Sequence, residues 1–232
     1  MEITDSRKVL VTGFEPFGGL TDNPSDQIVR LMDGEIIRQH AIVARTLPVT
    51  FKDAPLCFEQ LLHQFKPAVV INLGLAGGEK AIRLERQAVN NVDFRIADNA
   101  AEIVQGCIHE GGPRYYHSSL PLESILKTLQ ENNIPARLSD SAGAFVCNAL
   151  MYSALNLCSH PEHNIPCGFI HLPFLPEQLS ALQLPAGKSS VTSRIELDGT
   201  GDGSLHSMPL SMQTEAVRLS IETCIEDLRY AK

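Results

Sequence analysis

Three apolar runs constrain this chain more than any other feature. They are "KVLVTGF" (Lys8–Phe14), "AVVINLGLAGG" (Ala68–Gly78) and "CGFIHLPF" (Cys167–Phe174), each closed by glycine or proline. Short continuous apolar runs without polar alternation are strands buried on both faces. Helical spacing fills the intervals. In "PSDQIVRLMDG", Pro24 suits a first helical position, Asn23 the cap before it and Gly34 the stop. "FKDAPLCFEQLLHQFKP" repeats Leu56, Phe58, Leu61, Leu62 and Phe65 at helical intervals. "LESILKTLQENN" and the segment around Cys147 follow, and "EAVRLSIETCIEDL" places Val217, Ile221, Cys224, Ile225 and Leu228 on one face. "EIIRQHAIVARTLPV" and "IPARLSD" read as further strands. Strands alternating with helices predict an α/β fold, a single-domain α/β/α sandwich over residues 1–232 with a mostly parallel central sheet. The polar, glycine-rich stretch from about 185 to 207 is expected to be a long surface loop, an exposed hairpin or an arm.

In such sheets ligands bind at the carboxyl ends of the strands. Three ends then matter: Thr12-Gly13-Phe14, Leu73-Gly74-Leu75 and Ile170-His171-Leu172. The loop "SDSAG", after "IPARLSD", is expected to deliver the Cys147 helix to the same edge.

Composition narrows what a site there could serve. Net charge is −8 and no lysine or arginine run occurs, so neither nucleic acid nor an anionic membrane is an expected partner. No apolar run approaches the length of a membrane span. The start, "MEITDSRKVLVTGF", is charged and runs straight into a strand, unlike a signal peptide. The chain therefore reads as cytosolic, with its six cysteines reduced. No C-x-x-C pair is present, so neither a metal site nor a redox pair is expected.

Among the six cysteines, Cys147 sits near a helix start, after Ser141-Ala142-Gly143. A helix N-terminus or a nearby imidazolium lowers a thiol's pKa and makes it a nucleophile. Phe145 and Val146 beside it would equally suit an inert core thiol. His171 ends an apolar strand and is fixed by the Leu-Pro that follows. The histidines at 40, 63, 109, 117, 160, 163 and 206 fall on helices or polar loops by the same reading. A cysteine at a helix start and a histidine at a neighbouring strand end can meet as nucleophile and base. A third group should orient the histidine. "AIRLERQAVNNVDFRIADN" offers Glu85, Asp93 and Asp98, and spacing does not choose among them. Each would also serve as a plain ion-pair partner of Arg83, Arg86 or Arg95.

The loop "GFEPFGGL" has the glycines of a phosphate loop but lacks its Lys-Ser/Thr. Phe14, Pro16 and Phe17 make it a wall for a small, flat, uncharged group, or else two core phenylalanines beside a turn. "GLAGG" shows only that the backbone turns sharply there.

Taken in order, "VLVTGFEPFGG", "NPS", "GLAGG…LERQAVNNVDFRIADN", "SAGAFVCN" and "GFIHLPFLPEQ", with "PLSM" before the last helix, strongly resemble the pyroglutamyl peptidase I (pyrrolidone-carboxylate peptidase) family. The resemblance implies an α/β/α sandwich and a cysteine peptidase that removes N-terminal pyroglutamyl residues from peptides. It implies Cys147 as nucleophile, His171 as general base and Glu85 as the orienting carboxylate, with Arg95 near the oxyanion. It also implies Phe14, Phe17 and Phe145 as the aromatic pocket for the lactam, with Asn23 as a polar group near it and a contact at Leu75. Relatives are typically cytosolic homo-oligomers without a cofactor. Leu75 stands where many relatives have glutamine, Glu79-Lys80 replaces a common arginine and Ala97 a common proline. Two other readings are a nucleoside-phosphorylase-type enzyme and a catalytically silent pyroglutamyl-binding paralogue. The Phe-rich loop argues against the first, and the intact Cys147, His171 and Glu85 against the second.

Overall fold

Strand parity decides how this molecule is layered. A computed structural model describes residues 7–182 and 205–230. Its elements run β1 (Lys8–Phe14), α1 (Pro24–Met32), β2 (Ile36–Ile37), β3 (His40–Leu47), α2 (Asp53–Phe65), β4 (Val69–Leu75), β5 (Ile82–Glu85), β6 (Gln87–Val89), β7 (Val92–Asp93), β8 (Gln105–Gly106), β9 (Tyr115–His117), α3 (Leu122–Glu131), β10 (Ala136–Ser139), α4 (Val146–Ser159), β11 (Cys167–Leu172), α5 (Pro176–Leu182) and α6 (Leu210–Tyr230). The central sheet has seven strands in the order β10-β5-β11-β4-β1-β3-β2. Side chains alternate between faces along a strand. Val9 and Val11 of β1, Val69, Ile71 and Leu73 of β4, and Ile170 and Leu172 of β11 join Ile28, Ile125, Leu129, Val217 and Ile221 from α1, α3 and α6. The other parity, Leu10 and Phe14, Val70, and Cys167 and Phe169, packs on Phe58 and Leu62 of α2 and Ala149 and Leu150 of α4. The three layers are thus α1, α3 and α6, then the sheet, then α2 and α4. This is the expected α/β/α arrangement.

The apolar runs form strands where the sequence placed them, and α1 begins as expected. Asn23 Oδ1 accepts from the Ser25 backbone N–H at 3.0 Å, and Pro24 opens the helix. The predicted face of α2 needs correction: Phe58 and Leu62 are buried together with Ala54, but Leu56 is 55% exposed. On α6, Val217, Ile221, Cys224 and Ile225 are buried and Leu228 packs against them, as read. Two histidines assigned to helices or loops lie on strands instead, His40 in β3 and His117 in β9. The polar stretch expected at about 185–207 lies mostly outside the described residues.

The sheet is only mostly parallel. β1, β3, β4 and β11 run together, whereas β5 pairs antiparallel with β11 and carries β10 with it. Loop 140–145 therefore leaves β10 from the opposite end to the one expected. It must turn back along the sheet before α4 can start at the carboxyl edge. The destination is as anticipated, and the route is not.

Candidate active site

The same parity that builds the core gathers polar groups at one edge. In β11, Cys167, Phe169 and His171 face α4. In register, His171 lies beside Gly74 of β4 and opposite Arg83 of β5, while Phe169 lies opposite Glu85. Partners in register share a face. His171, Arg83, Glu85 and the bare face of Gly74 thus meet beneath the start of α4. Cys147 is the second residue of that helix, closer to its start than the sequence implied. A Cβ added at Gly74 would come within 3.0 Å of Cys147 Sγ and 2.8 Å of Phe169 Cζ. Glycine at this strand end is what leaves the thiol its place.

Glu85 is fully buried, and its Oε1 lies 2.8 Å from His171 Nδ1. An ionised carboxylate only accepts, so Nδ1 donates and Nε2 is the nitrogen left for the pocket. Burial pushes the Glu85 carboxyl up. The hydrogen bond and charge of His171, followed by the charge of Arg83, outweigh this and hold it below the ordinary carboxylate value. Ionised Glu85 thus stabilises the fold above the ordinary carboxylate range, and that contribution is lost as pH falls through its lowered value.

The other two carboxylates serve elsewhere. Exposed Asp93 accepts from Gln105 Nε2 at 2.8 Å. Buried Asp98 accepts from the backbone N–H groups of Phe51, Ala100 and Glu102, each at 2.9 Å. Of the three candidates, Glu85 is the one on the histidine. Its ion pair with Arg83, with Nε 2.9 Å from Oε1, is present as well, so the two readings of Glu85 hold together.

A pocket opens over this edge, lined by Phe17, Leu75, Ala76, Arg83, Arg95, Ile96, Ala142, Gly143, Phe145, Cys147 and His171. Phe17 packs on Phe145 with ring centroids 5.9 Å apart, and Phe145 on Phe94 at 4.5 Å. Phe14 is buried behind them and lines a smaller recess with Phe17, Leu75, Phe145 and Cys147. Leu75 presents an apolar side chain to both cavities. Asn23 is not among the lining residues. Its Nδ2 donates to the Glu15 carbonyl at 3.1 Å while Oδ1 caps α1, so it shapes the "GFEPF" loop from behind. Glu15 Oε1 extends that tie, accepting from Val49 N at 3.0 Å and Asn99 Nδ2 at 2.7 Å.

Gly143 lines the pocket at φ +80°, a left-handed conformation that favours glycine. The N-cap, Phe145, makes no side-chain cap hydrogen bond, and no acidic residue occupies the first turn of α4. A helix start of this kind offers backbone N–H groups to an anion.

Asn148, fully buried, was not singled out by the sequence reading. It clamps the segment that carries Phe94 and Arg95: Oδ1 accepts from Val89 N at 2.9 Å, and Nδ2 donates to the Val89 and Asn91 carbonyls at 2.9 Å each. Asn148→Ala is expected to cost about 2–3 kcal/mol, because three backbone groups lose their partner. Thermal unfolding of the variant checks this, and turnover should fall with it.

The pyroglutamyl peptidase family model matches residues 7–227. The chain belongs to the pyroglutamyl peptidase family. The pyrrolidone-carboxylate peptidase of Pyrococcus furiosus is 40% identical over 223 residues, which is 95% of this chain and 99% of that one. The pyrrolidone-carboxylate peptidase of Bacillus licheniformis is 44% identical over 173 residues, covering 74% of this chain and 80% of its own. A crystal structure of a mutant pyrrolidone carboxyl peptidase from P. furiosus superposes with a TM-score of 0.85 at 40% identity, covering 95% of this chain and 99% of that chain. Members of the family are cysteine peptidases that remove N-terminal pyroglutamate. Neither the phosphorylase nor the silent-paralogue reading gains support from these matches.

Proposed function

We propose that the protein hydrolyses the amide bond that follows an N-terminal pyroglutamyl residue, with Cys147 as nucleophile, His171 as general acid and base, and Glu85 as the carboxylate that orients it. The observation that carries this reading is the placement of Cys147 Sγ over Gly74, beside a histidine whose Nδ1 is held by buried Glu85.

The thiolate attacks the pyroglutamyl carbonyl carbon, and the carbonyl electron pair moves onto oxygen. Backbone N–H groups at the start of α4, with Arg95 at the pocket wall, stabilise that oxyanion. The C–N bond then breaks, and the proton on His171 Nε2 passes to the leaving amine. Water attacks the resulting thioester, giving its proton to His171. Pyroglutamate leaves and the Cys147 thiolate returns. The flat lactam ring lies against the apolar wall that Phe17 and Phe145 form together, and Leu75 and Ile96 complete that wall.

The chain reads as one peptidase domain, because the seven-stranded sheet takes in both β1 and β11 and α6 packs back on it. The reading extends to a homo-oligomer in the cytoplasm. None of the six cysteines, all of them described residues, is in a disulfide. No helix among the described residues is long and apolar enough to cross a membrane. Exposed Leu31 and Ile36 offer apolar contact at one corner.

The deciding experiment is release of a fluorogenic amine from a pyroglutamyl amide, with and without iodoacetamide. Turnover that the alkylator abolishes supports the reading, and absence of turnover overturns it. Glu85→Gln is expected to lower turnover by about tenfold or more while sparing KM, because an orienting carboxylate acts on the histidine and not on the substrate. Steady-state kinetics on the same amide checks this. An unchanged rate would remove Glu85 from the mechanism.

A further inference from the structure

Arg83 and Glu79 are among the few buried charged side chains of the described residues; Arg83 lines the pocket, and Glu79 lies behind it in an ion pair. They continue the Glu85–His171 pair outward in a line of alternating sign. Arg137 Nη2 is 2.8 Å from Glu79 Oε1. Glu79 Oε1 is 3.2 Å from Arg83 Nη1. Arg83 Nε is 2.9 Å from Glu85 Oε1, and Glu85 Oε1 is 2.8 Å from His171 Nδ1. Arg83 also donates through Nη2 to Ser139 Oγ at 3.0 Å and to the Ser141 carbonyl. Its guanidinium therefore holds the carboxylate on one side and the segment leading to Gly143 and Cys147 on the other.

We propose that Arg83 and Glu79 are positioning residues for the catalytic site, Arg83 fixing Glu85 and the 139–141 segment together and Glu79 balancing its charge. This rests on the reading of Cys147 and His171 as nucleophile and base. Buried ion networks can be merely structural, but this one ends on the imidazole that the proposed reaction uses. The charged and titratable groups beside His171 are Glu85, bonded to it, and Arg83, Cys147 and Arg95, which line the same pocket; Glu79 in the β4–β5 turn and Arg137 on β10 reach it only through Arg83 and Glu85. Loss of the Arg83 cation leaves the site more negative, so it holds its protons to higher pH. Loss of the Glu79 anion leaves Arg83 less balanced, so protons leave at lower pH.

The test measures kcat and KM for a pyroglutamyl amide across pH, together with the rate of Cys147 carboxymethylation read from the mass of its peptide. Arg83→Met is expected to move both acid limbs to higher pH and Glu79→Gln to lower pH, each by about half a unit to one unit. The double variant should return towards the wild-type profile. Arg83→Lys keeps the charge but loses the planar fork, so it should leave the profile in place while kcat falls by about tenfold with KM little changed. Profiles that coincide with wild type, or that move in the same direction for Arg83→Met and Glu79→Gln, overturn the proposal. If Arg83→Met does not fold, the Glu79→Gln shift decides by itself. Because carboxymethylation needs no peptide, a wrong substrate class appears as absent turnover with the limb shifts intact, and a wrong network as turnover without the shifts.

Discussion

Cys147→Ala is expected to lower pyroglutamyl-amide hydrolysis by about 10⁴-fold or more, since no other group can form the thioester. The fold should persist. Position 147 is the second residue of α4, half-buried at a pocket wall, and alanine is the best helix former. Circular dichroism and the unfolding temperature should change little. The remaining cysteines supply internal controls. Cys158, Cys167 and Cys224 are buried, and burial pushes the thiols of Cys167 and Cys224 up, away from thiolate. Cys107 is exposed and is not among the residues that line the pocket. One equivalent of iodoacetamide should therefore label Cys147 ahead of Cys107, although Cys107 is the more accessible. Substantial activity in Cys147→Ala, or Cys107 labelled first, would overturn the nucleophile assignment.

The residues that carry this chemistry were legible in proportion to how local their signal is. β1, β4 and β11 announced themselves because a strand buried on both faces is apolar throughout, and that pattern needs no partner to be read. Asn23 and Pro24 marked the start of α1 for an equally local reason, the hydrogen bond from Ser25 N to Asn23 Oδ1. β5 was not separable from its surroundings. "IRLE" alternates apolar and charged residues as a half-exposed strand would, yet all four positions are buried. Its charged face is satisfied by His171, Ser139, Ser141 and Glu79, which lie far off in sequence or in a turn. The choice of Glu85 over Asp93 and Asp98 depends on antiparallel pairing with β11 across more than eighty residues, and no window along the chain contains that. The direction of β10 was lost for the same reason. Asn148 could have been suspected, since a fully buried amide next to a nucleophile must find partners. What it holds, the backbone of Val89 and Asn91, is again a matter of tertiary pairing.

Selectivity for the lactam is the other large effect expected. An open-chain glutaminyl residue differs from pyroglutamyl by a free ammonium group. The ionisable residues lining the pocket are Arg83, Arg95, Cys147 and His171, with no carboxylate among the described lining residues. An enzyme that binds a substrate ammonium needs an anion for it. Here the ammonium would meet two guanidinium groups and the aromatic faces of Phe17 and Phe145. The uncharged lactam N–H asks for no such partner. Burying an unpaired charge costs several kcal/mol, and each 1.36 kcal/mol is a factor of ten in rate. Discrimination in kcat/KM between pyroglutamyl and glutaminyl amides is therefore expected to be at least about a thousandfold. The aromatic wall supplies part of it by fitting the flat ring and excluding the water that would solvate an ammonium. Phe17→Ala opens that wall without touching Cys147 or His171, so it should raise KM for the pyroglutamyl amide and narrow the ratio while the rate of Cys147 alkylation stays near wild type. Paired kinetics on the two amides, with alkylation as the control, checks all three. Comparable rates on both substrates would refute the pocket assignment and leave Cys147 a nucleophile for some other acyl group.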